Sequence, residues 1–199
     1  MAVSWCFDGD DLLCGVGASW AEFALANDGD GCVPPLLGQG LDAFVSSPEL
    51  VVVWQTIFDL TRRDHGRPLT LTYRCDAPGE RRLIRATVTG DAYHQVEIVS
   101  SVSRRGPRPP IPLLDPAPAV RRSGEMVRMC AWCARVDADG WVDVEEACRR
   151  LGLLESEAAL LPGVTHGICD DCRGTLIGDL DLPPGLDPHH RHHIISSAG

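Results

Sequence analysis

The run Ser47-Pro48-Glu49-Leu50-Val51-Val52-Val53-Trp54-Gln55-Thr56-Ile57-Phe58-Asp59-Leu60-Thr61 leads, through Asp64-His65-Gly66, into Leu69-Thr70-Leu71-Thr72-Tyr73-Arg74. Its hydrophobic period changes on the way. Leu50, Val53, Trp54, Ile57, Phe58 and Thr61 recur at intervals of three and four, which places them on one face of a helix. Ser47 is suited to cap that helix, Pro48 to occupy its first position, and Gly66 to stop it. Leu69, Leu71 and Tyr73 then alternate with Thr70, Thr72 and Arg74, the signature of a strand with one buried face. A long amphipathic helix feeding a half-buried strand predicts an α+β fold.

Working outward, Ser4 to Phe7 and Leu12 to Val16 are short apolar segments separated by Asp8-Gly9-Asp10-Asp11, which predicts a hairpin. Ser19 precedes Trp20, Phe23, Ala24 and Asn27 at helical spacing, so a short helix follows and ends near Asp28-Gly29. Leu83 to Val88 and Gln95 to Val102 read as two further strands. The order is two strands, short helices, one longer helix, three strands. With Trp20-Ala21-Glu22-Phe23-Ala24 after the hairpin and Tyr73-Arg74-Cys75-Asp76-Ala77-Pro78 closing the third strand, residues 3–102 resemble the PAS family, specifically small bacterial PAS-like proteins. The resemblance implies a five-stranded antiparallel sheet with flanking helices, able to enclose a small ligand or to pair with another PAS domain or itself. Trp54, Phe58 and Tyr73 are the expected lining of such a cavity.

The chain has 199 residues, 44% of them hydrophobic, enough for a real core and one or two domains. No stretch approaches the ~20 apolar residues that span a bilayer, so no membrane role and a cytoplasmic location are expected. The formal charge is -10, and all 18 basic residues are arginine, which gives nucleic-acid binding little electrostatic support. Charge divides the chain: the first 102 residues carry seven arginines against fourteen acidic residues, residues 103–128 six against two, and the remainder five against twelve. Six of the 15 prolines fall between Arg104 and Arg122. These features define a PAS-like sensory domain (1–102), a Pro/Arg-rich linker (103–125), a four-cysteine metal module (126–180) and a His-containing tail (181–199) read as disordered.

The sharpest chemical signal is Cys130-Ala131-Trp132-Cys133 together with Cys169-Asp170-Asp171-Cys172. A two-residue spacer lets the chain turn and aim both thiolates at one ion, and two such pairs complete a tetrahedron. Between them, Val144, Ala147, Cys148 and Leu151 share one face of a predicted helix capped by Asp143 with Glu146, so Cys148 reads as core. The Cys-x-x-Cys … His166-Gly167-Ile168-Cys169-x-x-Cys172 arrangement resembles a zinc-ribbon-like module that accompanies PAS domains, receiver domains and sensor kinases, with aspartate at position 170 where that pattern has proline. Four cysteines around zinc is the leading reading. His166 in place of one thiolate, or an iron–sulfur cluster on the same cysteines, remains open, and His166 otherwise reads as a hydrogen-bond donor behind the ligands.

Cys6, Cys14, Cys32 and Cys75 read as structural, with Cys75 the best candidate for a reactive thiol because Arg74, Arg81 and Arg82 lie near it in sequence. No phosphate-binding loop, nucleophile elbow or kinase signature is present. The expectation is a non-enzymatic sensor or adaptor whose zinc module docks a signalling partner such as a sensor kinase. The alternative is a thiol-based redox sensor.

Overall fold

The computed structural model describes residues 2–26, 36–45, 47–115, 122–153 and 160–179; Cys32 and the tail lie outside them. The predicted hairpin is β1 (Ala2–Phe7) and β2 (Leu13–Val16). Asp8 makes its turn, its Oδ1 accepting from the backbone N–H groups of Asp10 and Leu12 at 3.0 Å. Helix α1 (Trp20–Leu25) follows, then α2 (Pro48–Arg63), β3 (Leu69–Arg74), β4 (Glu80–Gly90) and β5 (Val96–Pro107). These strands form one antiparallel sheet in the order β2-β1-β5-β4-β3. The α+β class is as the sequence predicts, and the five-stranded antiparallel sheet with flanking helices is what the resemblance implies.

Pleating puts Val3, Trp5, Phe7, Val96, Ile98, Ala86, Val88 and Leu71 on one face of this sheet, and α2 crosses it with Leu50, Ile57 and Phe58 buried. The close crossing depends on Gly90, where an added Cβ would lie 2.4 Å from the carbonyl oxygen of Thr61. Three expected caps do not form. Ser47 stands at the start of α2 in an extended conformation without a side-chain cap bond. Ser19 is itself in a helical conformation and its hydroxyl donates to the carbonyl of Ala2 at 2.5 Å, while Asp143 makes no side-chain cap bond and Glu146 pairs with Arg149 and Arg150.

The proline-rich stretch holds more structure than its composition suggests. Strand β5 passes the expected boundary at Val102 and pairs with β4 as far as Pro107, and Ile111 and Leu113 are buried in and beside a short 3₁₀ turn, Pro112–Leu114. Arg108 is also nearly buried, its side chain 3% exposed. Proline lacks an N–H but leaves its neighbours free to pack, so isolated apolar residues between prolines anchor the segment.

The remaining elements are β6 (Arg122–Cys130), β7 (Val136–Asp137), β8 (Trp141–Val142), α3 (Val144–Arg150), β9 (Leu161–Gly167) and α4 (Asp170–Asp179). The second sheet runs β8-β7-β6-β9, antiparallel except for the parallel β6–β9 pair. Ile111, Leu113, Met129, Val136, Val144, Ala147 and Cys148 fill a small core of their own. Cys130, Ile168, Cys169 and Leu176 instead belong to the main core with Phe7 and Phe58. Among the described residues, no helix is long and apolar enough to cross a membrane.

Candidate metal centre and adjoining cavity

Cys130 ends β6 and Cys133 sits in the turn to β7. Ala134 closes that turn in the left-handed region, with φ 59°, and donates its N–H to the carbonyl of Cys130 at 2.9 Å. The second pair arises differently. Cys169 precedes α4 and Cys172 lies in its first turn. The two pairs meet because β6 and β9 run side by side with Cys130 opposite Gly167, a register held by the Ala131 N–H donating to Gly167 at 2.9 Å.

All four Sγ atoms lie within 4.8 Å of one another, and Cys133 and Cys169 are 3.8 Å apart. A tetrahedron with Zn–S bonds of ~2.3 Å has edges of ~3.8 Å, so the donor set fits a zinc-sized ion that accepts four thiolates. The backbone N–H of Cys169 points to the Cys130 sulfur at 3.4 Å, and that of Cys172 to the Cys169 sulfur at 3.5 Å. Such bonds stabilise negative sulfur. Hydrogen bonding from Cys133 lowers the Cys130 thiol to about 4, while burial pushes Cys172 up to about 12 and hydrogen bonding to Cys130 raises Cys133. The cluster therefore favours thiolate at Cys130 ahead of Cys133 and Cys172. Arg135 stands beside it, paired with Asp171 at 2.8 Å.

His166 lies on β9 opposite Met129 and is not one of the clustered ligands. Burial lowers its pKa, with partial compensation from Cys130. Cys148 is buried in α3 with Val144 and Ala147, as expected of a core residue. Asp170 occupies the first turn of α4, where an acidic side chain suits the helix dipole and the cysteine spacing is preserved.

Trp132, between the first two ligands, reaches over the five-stranded sheet. Its ring lies 6.0 Å from that of Trp54 and 5.8 Å from that of Tyr73, and its carbonyl accepts the Arg74 N–H at 2.9 Å. Beneath it is a cavity of ≈370 Å³ whose walls include Trp54, Tyr73, Trp132, Ala131 and His166. Phe58, the third expected wall residue, does not line it; fully buried, it stands behind Trp54 and Phe7. Sequence reasoning missed Trp132 and Trp5 as wall residues. The available signal was a large aromatic side chain inside a Cys-x-x-Cys turn, where solvent offers it no partner.

The Tyr-Arg-Cys-Asp segment acts through its aspartate. Asp76, its side chain 2% exposed, accepts from the backbone N–H of Arg82 at 3.1 Å, from Arg108 at 3.1 Å and from the Arg74 guanidinium. Cys75 is exposed. Arg108 and Arg81 also reach Glu145 at the start of α3, at 3.6 and 2.5 Å, and Arg128 and Arg173 reach Glu49 on α2 at 2.6 and 3.4 Å. These pairs tie the cysteine module to the sheet. No family model matches the chain, and no curated protein matches it significantly.

Proposed function

We propose that the chain is a non-enzymatic sensor or adaptor in signal transduction, built from a PAS-like domain and a structural zinc module. The reading rests above all on the five-stranded antiparallel sheet with its first and last strands adjacent and a cavity on the helix-covered face. In this reading Cys130, Cys133, Cys169 and Cys172 hold zinc, and the metal fixes the turn that carries Trp132. The output is association, with a sensor kinase, another PAS domain or a second copy of the chain. Protein purified from its native host tests this by metal analysis, absorption spectroscopy and native mass spectrometry. One zinc per chain and a colourless protein are expected. A strong visible band would replace zinc with an iron–sulfur cluster, and absence of metal would remove the module from the proposal.

A redox-sensing reading has one observation in its favour: Cys133 and Cys172 are only half-buried, whereas Cys130 and Cys169 are buried. Zinc release at low peroxide concentration would favour it over a purely structural ion.

A further inference from the structure

The cavity beneath Trp132 shares Trp5 and Tyr73 with a second one of ≈580 Å³, whose walls include Trp20, Phe23, Ile84 and Ser100. The first lobe is aromatic and aliphatic, with Phe7, Leu50, Trp54 and Trp132 around it. The second differs in chemistry. Trp5 and Trp20 lie with ring centroids 5.0 Å apart, and the indole N–H of each is buried with no hydrogen-bond partner among the described residues. Trp20 is 7% exposed. An indole N–H can only donate, and a buried donor left unpaired is costly. Two such donors in one cavity wall call for an acceptor brought from outside. Arg82 and Arg105 also border this lobe. They are engaged with the Cys75 carbonyl and with Glu80, so they add a positive field without being spare donors.

Resting on the sensory reading above, we propose that the double cavity binds a flat aromatic carboxylate. Its ring occupies the lobe lined by Trp54 and Trp132, against their joined faces, and its oxygens accept from the indole N–H groups of Trp5 and Trp20. The ligand thus touches both the sheet and the turn between the first two cysteines.

The test uses the full-length, zinc-loaded chain labelled with nitrogen-15 and titrated with 2-naphthoate, reading the indole N–H resonances. Saturable binding is expected, with the Trp5 and Trp20 protons moving downfield as they gain an acceptor. Trp54 and Trp132 respond through the ring current, while Trp141, which carries the Arg128 guanidinium 5.6 Å from its ring centroid and does not line either lobe, stays in place. Naphthalene, which lacks the carboxylate, should bind about tenfold more weakly or worse, as should 2-naphthoate to Trp20→Phe. Equal binding of the two compounds with unmoved Trp5 and Trp20 protons in the unmodified chain overturns the proposal, whether or not Trp20→Phe folds. If 2-naphthoate fails to bind while another small molecule accompanies the protein from its host, the ligand class falls and the sensory reading stands. A protein that carries nothing and takes up nothing sinks both.

Discussion

The two halves of this molecule are held together by different physics. On the sheet, α2 buries Leu50, Ile57 and Phe58 against Val88, Val96 and Ile98, and non-directional apolar burial carries the structure. In the second half two of the four strands, β7 and β8, are only two residues long, and four sulfur atoms converge. There, in the proposed reading, the directional demand of an ion held by the four cysteines stands in for a large core. Yet Cys130 and Cys169 belong to the main core, while Ile111 and Leu113 of the proline-rich stretch belong to the smaller one. The boundary between cores therefore does not follow the boundary in composition. A segment that looks like a spacer is part of the clamp.

If the four cysteines hold zinc as proposed, removing it should break the comparison most sharply. Structural zinc contributes ~10 to 16 kcal/mol in small peptides, so a strong chelator or Cys130→Ser should unfold residues 122–179 and release Trp132, with retention of the sheet's far-ultraviolet signature. The reciprocal variant, Phe58→Ala, should cost roughly 3 to 5 kcal/mol in urea unfolding and leave the zinc stoichiometry unchanged. If Cys130→Ser leaves metal content and the Trp132 environment intact, the division of labour between the halves is wrong.

Next in size is the joint between them. Asp76→Ala strands the nearly buried Arg108 guanidinium and should cost roughly 3 to 5 kcal/mol, as removal of one partner from a buried ion pair does. Both halves should loosen in that variant, since Arg108 also faces Glu145. Calorimetry that finds the loss confined to the sheet would show that this network is not a joint.

The smallest effect belongs to Glu145. Burial alone would raise its pKa, but the hydrogen bond and charge of Arg81, with help from Arg108, hold it below the usual carboxylate value. A lowered folded pKa contributes stability above the unfolded value of ~4.3, and that contribution disappears as pH falls through the folded one. Arg81 is more than half exposed, so Glu145→Gln should cost under ~1 kcal/mol at pH 7 and progressively less below pH ~4. Urea midpoints at the two pH values check this; a difference that grows on acidification would contradict the assignment.

The sheet half was largely legible because its elements announce themselves by period. The helix read from Ser47-Pro48 is Pro48–Arg63, and the strand read from Leu69, Leu71 and Tyr73 is Leu69–Arg74. The ends of β4 and β5 were not legible, because Arg81, Arg82, Arg104 and Arg105 pair as a polar ribbon without apolar alternation. Strand β6 was hidden for the same reason: its start, Arg122-Ser123-Gly124-Glu125, has no apolar alternation, and its continuous pairing with β9 begins only at Met126. Of the candidate site, cysteine spacing revealed the cluster. The meeting of Trp132 with Trp54 and Tyr73 was not readable, because it depends on how two separately patterned regions dock.

The parallel pairing of β6 and β9 has a consequence for kinetics. The clustered cysteines Cys130 and Cys169 are separated by 39 positions, and parallel neighbours cannot be joined by a tight turn. The loop must close before all four sulfurs face one ion, and loop closure of this length is an entropic barrier that local contacts do not lower. Either Cys-x-x-Cys pair alone supplies only half a coordination shell. If the cluster takes up zinc as proposed, complete capture is a late step in folding, paced by chain closure instead of ion diffusion, and it locks a long-range contact that the polypeptide has already found.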